Sequence, residues 1–93
     1  MNAEQIEACR AGRAVLGRQT ANVVREDIER LALRMGYALR PKRGGHPVYV
    51  KAGRLPITIP GHRNNLNQYT VKAILDRLEE DLDREEEELG DGS

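Results

Sequence analysis

The order of apolar and polar residues divides this chain into two helical segments, a stretch of alternating residues and a third helix. Residues 3–18 place Ile6, Cys9 and Leu16 at helical spacing, so the chain is predicted to open with a helix. Gly12 within this helix costs about 1 kcal/mol relative to alanine. We therefore expect the helix to be ordered only where another element packs against it.

The second helical pattern, over residues 22–35, is stronger. Asn22 is the predicted N-cap and Gly36 the predicted stop, because a short polar side chain favours the first position and glycine favours the residue after the last turn. The apolar positions fall on a single face, as in a helix that lies on a sheet. They are Val24, Ile28, Leu31, Ala32 and Met35.

From Tyr37 onward the pattern alternates, which predicts three short strands joined as a meander. The strands are expected at residues 37–40, 46–51 and 55–60. Pro56 has no N–H to donate to a neighbouring strand, so the third strand is predicted to lie at an edge of the sheet. Three side chains are predicted on the face opposite the core: Tyr49, Lys51 and Thr58.

A final helix is predicted from its N-cap, Asn67, through Leu82. Its buried stripe consists of Val71, Ile74, Leu75, Leu78 and Leu82. The residues beyond it are almost devoid of apolar side chains and are expected to form a disordered acidic tail. The pattern therefore predicts an α+β protein with an N-terminal helical extension (1–20), a core domain (21–82) and an acidic tail (83–93).

Composition narrows the class of protein. The 93 residues are enough for one small domain, and its core is expected to be aliphatic because the chain has no Phe or Trp. No apolar run reaches the roughly 18–20 residues of a membrane span, and the N-terminus has no signal-peptide pattern. Cys9 is the single cysteine, read as a small apolar residue, and the sequence has no pattern of metal ligands. We expect a cytoplasmic protein without metal or cofactor.

The formal net charge of zero conceals a segregation of charge along the chain. Residues 20–78 carry eleven Lys and Arg against four acidic residues, a net charge of +7. Residues 79–93 carry nine acidic residues against one Arg, a net charge of −8. A basic body of this kind is typical of proteins that bind a polyanion.

Four motifs, in this order and spacing, resemble the HicA toxins of type II toxin–antitoxin systems over roughly residues 22–80. They are the helix REDIERLALRMGY, the basic loop RPKRGGH, the strand LPITIPGH and the segment LNQYTVKAIL. The resemblance implies a fold like the double-stranded RNA-binding domain, α-β-β-β-α, with two helices on one face of a three-stranded antiparallel sheet. It also implies an endoribonuclease that cleaves messenger RNA and is masked by a HicB-type antitoxin.

The resemblance identifies His46 as the family's catalytic histidine. Histidine suits metal-independent RNA cleavage because its unperturbed pKa, near 6.5, keeps much of it neutral and able to take a proton from a ribose 2′-hydroxyl. His62 is expected at the same end of the hairpin and is a second candidate, as acid/base or phosphate contact. The alternatives are an exposed turn histidine at position 46 and a loop-fixing role for His62.

Six basic side chains are predicted to contact RNA phosphates, each adding a small, salt-sensitive increment to affinity. They are Lys42, Arg43, Lys51, Arg54, Arg63 and Lys72. Ordinary solvated surface is the alternative for any one of them. Because aromatic residues are scarce, recognition is expected to use the RNA backbone and its shape instead of base stacking.

Other interpretations stay open. The family's usual Gly-Ser-His is Gly44-Gly45-His46 here, which favours a non-catalytic RNA-binding or protein-interaction module of the same fold. The N-terminal helix has a possible role in oligomerisation. The acidic tail is expected to provide solubility, or to fold back over the basic surface and compete with RNA as a tethered polyanion.

Overall fold

The computed structural model describes residues 1–40, 47–60 and 66–91. The predicted order of helices and strands is confirmed. The elements are α1 (Ala3–Gly17), a short 3₁₀ turn (Thr20–Asn22), α2 (Arg25–Arg34), β1 (Ala38–Arg40), β2 (Val48–Val50), β3 (Ile57–Thr58) and α3 (Gln68–Asp91).

The three strands form an antiparallel sheet in the order β1-β2-β3, which leaves β3 at an edge as Pro56 predicted. In the register of this sheet, Tyr49 lies opposite both Leu39 and Ile57. A hydrogen bond from the backbone N–H of Ile59 to the carbonyl oxygen of Pro47, 3.0 Å long, continues the pairing of β2 and β3 beyond the strand ends.

Both α2 and α3 lie on one face of the sheet, but the residues on that face differ from the prediction. Tyr49 is only 4% exposed and belongs to the core together with Ile57. Lys51, two residues further, reaches Asp81 of α3. The prediction that Tyr49 and Lys51 lie opposite the core is therefore wrong, because all three residues of β2 are apolar and alternation could not decide which face is buried.

Two helices packed on one face of a three-stranded antiparallel meander, in the chain order α2-β1-β2-β3-α3, form a fold like that of the double-stranded RNA-binding domain. The extra helix α1 packs against α2 and α3. The core is mostly aliphatic, as expected, and joins all three helices to the sheet. Its most deeply buried side chains are Val23, Ile28, Met35, Ile57, Ile59, Val71, Leu75, Leu78 and Leu82.

Of the three helix-capping residues predicted for α2 and α3, two are confirmed and one is not. Helix α2 begins at Arg25, and the backbone N–H of Val24 donates to the Asp27 carboxylate at 3.2 Å, so the predicted cap at Asn22 is wrong. Gly36 ends the helix as predicted, with φ of 95°, a conformation that favours glycine. Asn67 caps α3, since its side-chain oxygen accepts from the backbone N–H of Tyr69 at 2.7 Å.

The acidic end of the chain is the largest departure from expectation. Helix α3 runs to Asp91, nine residues past the predicted end at Leu82. The prediction of a disordered tail is therefore wrong for residues 83–91, whereas residues 92 and 93 lie outside the described chain. The reason lies at Glu85, which is 9% exposed and paired with Lys51 and Arg54 of the turn between β2 and β3. Composition gives no indication of such counter-ions.

Replacing Gly12 by Ala is expected to raise the free energy of unfolding by about 0.5–1 kcal/mol, the difference in helix propensity. A Cβ at this position would meet Leu31 Cδ1 at 3.6 Å, an ordinary contact. Urea unfolding measures the change. Gly36→Ala is the matched control and is expected to destabilise, because Gly36 has a positive φ. Equal effects of the two substitutions would contradict this account of α1.

Candidate functional site

The two segments that carry the predicted histidines join the sheet at the same end. Arg40 at the end of β1 lies opposite Val48 at the start of β2. Pro47, which follows His46 in sequence, is hydrogen-bonded to Ile59 in the stretch that leads to His62. His46 and His62 themselves lie outside the described residues, as do three of the predicted phosphate contacts: Lys42, Arg43 and Arg63.

The other three predicted contacts, Lys51, Arg54 and Lys72, are described, and two of them lie together in a largely buried group of charges. Lys51 Nζ lies 3.0 Å from Asp81 Oδ2 and 2.8 Å from Glu85 Oε1. Arg54 Nε pairs with Asp81, and its Nη2 lies 3.3 Å from Glu85 Oε1. We refer to these four residues as the ion-pair cluster.

Burial of the ion-pair cluster is nearly complete. The side chains are 13% exposed for Lys51, 8% for Arg54, 2% for Asp81 and 11% for Glu85. Glu88, which is 58% exposed, adds a third carboxylate 3.4 Å from Arg54 Nη2 at the solvent side. Charges buried to this extent depend on one another, because an unpaired charge in such a place is costly.

The cations hold both carboxylates of the cluster in the charged form. Burial would raise the pKa of Asp81, but hydrogen bonds from Arg54 and Lys51 outweigh it, so the pKa lies below its usual value. The pKa of Glu85 is lowered in the same way, against burial, chiefly by Lys51. Two ionised carboxylates therefore face two of the predicted phosphate-binding cations.

Tyr37 closes the apolar side of the ion-pair cluster. The Lys51 ammonium lies 5.5 Å from the centre of its ring, within the range of a cation–π contact. Burial, followed by the nearby Asp81 carboxylate, raises the pKa of the Tyr37 hydroxyl. Tyr37 is 4% exposed, so it belongs to the core and offers no surface for stacking bases.

Lys72 differs from the other two described candidates. It lies in the first turns of α3, is 71% exposed and, among the described residues, forms an ion pair with Asp76 alone, at 3.2 Å on the surface. Such exposed pairs contribute little and are readily exchanged. Lys72 is therefore accessible to an external phosphate, whereas Lys51 and Arg54 already have carboxylate partners.

Helix α1 packs against α3 on the side opposite the ion-pair cluster, and it contacts the acidic half of α3 (residues 80–91) there. The Arg10 guanidinium contacts Glu79 at 2.8 Å, Asp83 at 2.9 Å and Glu86 at 2.6 Å. Arg13 reaches Glu79 at 3.2 Å and the carbonyl oxygen of Leu75 at 3.2 Å. The N-terminal helix, which needed a partner surface, finds one along α3.

Sequence reasoning missed Asp81 and Glu85 as parts of this arrangement. Their positions carried a signal, since both continue the helical spacing of the buried stripe beyond Leu78. Cys9, in contrast, is 2% exposed, and burial raises the pKa of its thiol, which agrees with its prediction as an apolar residue.

The described part of the chain contains neither a group of metal ligands nor a membrane-spanning helix. Within residues 1–40, 47–60 and 66–91, no group of three or more His, Cys, Asp or Glu side chains is arranged to hold a metal ion. None of the helices in these ranges has the length and apolar character needed to cross a bilayer.

Comparison with known proteins agrees with the fold. The family model described as the HicA toxin of bacterial toxin–antitoxin systems matches residues 25–79, from the start of α2 into the first half of α3. The chain belongs to this family, and the family implies an antitoxin as its partner. No curated protein and no solved structure shows a significant match to the chain. Helix α1 and the acidic half of α3 lie outside the matched residues.

Proposed function

We propose that this chain is a metal-independent endoribonuclease that cleaves messenger RNA in the cytoplasm and is masked by a HicB-like antitoxin. The observation that carries the proposal is the match to the HicA toxin family over residues 25–79. Supporting it, the strand ends next to His46 and His62 are held together by the hydrogen bond between Ile59 and Pro47. This end of the sheet is the proposed active site.

In the proposed reaction His46 takes the proton from a ribose 2′-hydroxyl. The 2′-oxygen then attacks the adjacent phosphorus, the bond from phosphorus to the 5′-oxygen breaks, and that oxygen receives a proton. The products are a 2′,3′-cyclic phosphate and a 5′-hydroxyl. His62 is the proposed donor of the second proton or a phosphate contact. Lys42, Arg43, Arg63 and the exposed Lys72 are the proposed cations around the phosphate.

Growth of cells that express the protein tests this proposal. Expression of the parent chain is expected to arrest growth, and His46→Ala is expected to abolish the arrest while the protein still accumulates in folded form. Removal of a general base reduces activity by about 10²–10⁴-fold. The control is His62→Ala, which is expected to reduce toxicity less. Full toxicity of His46→Ala would show that His46 is not the catalytic residue.

A second candidate function is a binding module of the same fold that does not cut RNA. Neutralisation of Lys51 and Arg54 inside the ion-pair cluster favours it, because it leaves fewer cations for a substrate. RNA that is bound but never fragmented, together with growth unaffected by expression, would support this alternative.

A further inference from the structure

The ion pairs of Lys51 and Arg54 cross the boundary of the family match. Both cations lie inside the matched residues 25–79. Their carboxylate partners, Asp81, Glu85 and Glu88, all follow residue 79. Among the described residues, the matched residues 25–79 thus supply no counter-ion to either cation. The acidic half of α3 supplies all of the counter-ions.

Around Lys51 and Arg54, carboxylate oxygens take the positions at which these cations would bind the oxygens of a phosphate. Lys51 presents its ammonium to two carboxylates at 2.8 and 3.0 Å. The Arg54 guanidinium directs Nε to one carboxylate and Nη2 to two others. Oxyanions at these distances are what Lys and Arg bind in a nucleic acid backbone.

The position of the acidic residues is fixed from two sides. Leu82, between Asp81 and Glu85, is fully buried in the core. On the opposite side of α3, Arg10 of α1 contacts Asp83 and Glu86. The acidic half of α3 is therefore an ordered helix that is fixed to the rest of the fold.

We propose that the acidic half of α3 is an autoinhibitory element, which occupies Lys51 and Arg54 with carboxylates and keeps them from RNA phosphates. This inference rests on the proposed function. In it, helix α1 and the acidic half of α3 act together. Helix α3 supplies the competing anions, and α1 fixes them in place through Arg10. Glu88, which is exposed, and Glu85 behind it are the carboxylates that a phosphate must displace, while Asp81 anchors Arg54 from within.

Substitution of Glu85 and Glu88 tests the inference. The variant Glu85→Gln with Glu88→Gln keeps the size of both side chains and leaves Asp81 on Arg54. The matched control is Glu80→Gln with Glu87→Gln, which changes the net charge equally. Glu80 and Glu87 are exposed, and neither forms an ion pair within the part of the chain that the structure describes. Circular dichroism and thermal unfolding establish that each variant is folded.

The readout is binding to a fluorescent single-stranded 2′-O-methyl RNA, which has no 2′-hydroxyl and cannot be cut by the proposed reaction. We expect the Glu85/Glu88 variant to bind several-fold more tightly than the parent at low salt. We also expect its plot of log affinity against log salt concentration to steepen by about 0.7 for each phosphate newly contacted. The control should shift less in affinity and should keep the slope of the parent. Adding Lys51→Gln to the Glu85/Glu88 variant should remove part of the gain.

A folded Glu85/Glu88 variant with the affinity and slope of the parent, or with the same shift as the control, would overturn the inference. The inference would also be overturned if the parent chain, the Glu85/Glu88 variant and the control variant all failed to bind the RNA. The proposed function fails or survives separately, because the growth of cells expressing His46→Ala does not depend on these carboxylates.

Discussion

Replacing Asp81 by Ala is expected to lower the free energy of unfolding by about 3–5 kcal/mol, the cost of breaking a buried ion pair by removing one partner. Asp81 is 2% exposed and contacts both Lys51 and Arg54, whose side chains are themselves 13% and 8% exposed. Without this carboxylate, Lys51 and Arg54 are left with Glu85 as their buried partner. Glu85 also pairs with the N-terminal ammonium of Met1, at 3.4 Å. In a domain of this size the loss corresponds to a fall in Tm of more than about 12 °C.

Urea unfolding followed by circular dichroism measures the effect. Glu80→Ala is the matched control, because Glu80 precedes Asp81 on the same helix but is exposed. Its change is expected to stay within about 0.5 kcal/mol. A loss of less than about 1 kcal/mol for Asp81→Ala would show that the ion-pair cluster is not a structural element of the fold.

A chain that ends after Glu79, where the family match ends, is expected to lose cooperative folding. The cut removes Leu82, which is fully buried, and the two acidic residues of the ion-pair cluster. It also removes Asp83 and Glu86, on which Arg10 of α1 docks. Loss of a buried leucine costs about 2–5 kcal/mol in itself, against a total stability of about 5–14 kcal/mol for a chain of this length.

Thermal and urea unfolding of the shortened chain, compared with a chain that ends after Glu88, test this expectation. The longer fragment keeps every contact of Lys51 and Arg54 with α3 and is expected to unfold cooperatively, close to the full chain. A sharp transition at the same midpoint for the chain ending at Glu79 would show that the acidic extension contributes nothing to stability.

The elements that the sequence predicted well are those whose signals are local. The apolar face of α2 from Ile28 to Met35, the stop at Gly36 and the cap at Asn67 depend on residues within a few positions of one another, and the structure confirms them. Val24, predicted on the same face, is only partly buried, and Val23 takes the core position. The start of α2 was misplaced because Asn22 is a favourable N-cap residue, whereas the true N-cap position is Val24, whose apolar side chain gives no capping signal. Only the fold shows that Asp27 is the one that accepts from the backbone N–H of Val24.

The expectations that failed depend on contacts between elements far apart in sequence. Residues 83–91 are nearly all polar, so composition predicted disorder, but their counter-ions come from the turn that follows β2, from α1 and from the N-terminal ammonium. The face occupied by Tyr49 and Lys51 was misassigned because β2 gives no alternation of polarity. The same residues explain why the candidate phosphate contacts could not be ranked from the sequence, since Lys51 and Arg54 differ from Lys72 only in what surrounds them.

The three described candidate cations therefore differ in whether they are available to a phosphate. Lys72 is exposed, and Lys51 and Arg54 are neutralised by the acidic half of α3. The catalytic assignment of His46 rests on the resemblance to the family and stays a prediction. The family domain and the acidic half of α3 form one folded unit. In the proposed function, the acidic half of α3 limits the RNA-binding surface that the domain presents.

Cleavage of a single-stranded RNA by the purified protein in the presence of EDTA tests the central claim most directly. The account predicts fragments that end in 2′,3′-cyclic phosphate, formed by the parent chain and absent with His46→Ala. RNA that stays intact with the folded parent chain, or fragments that form equally with His46→Ala, would contradict it.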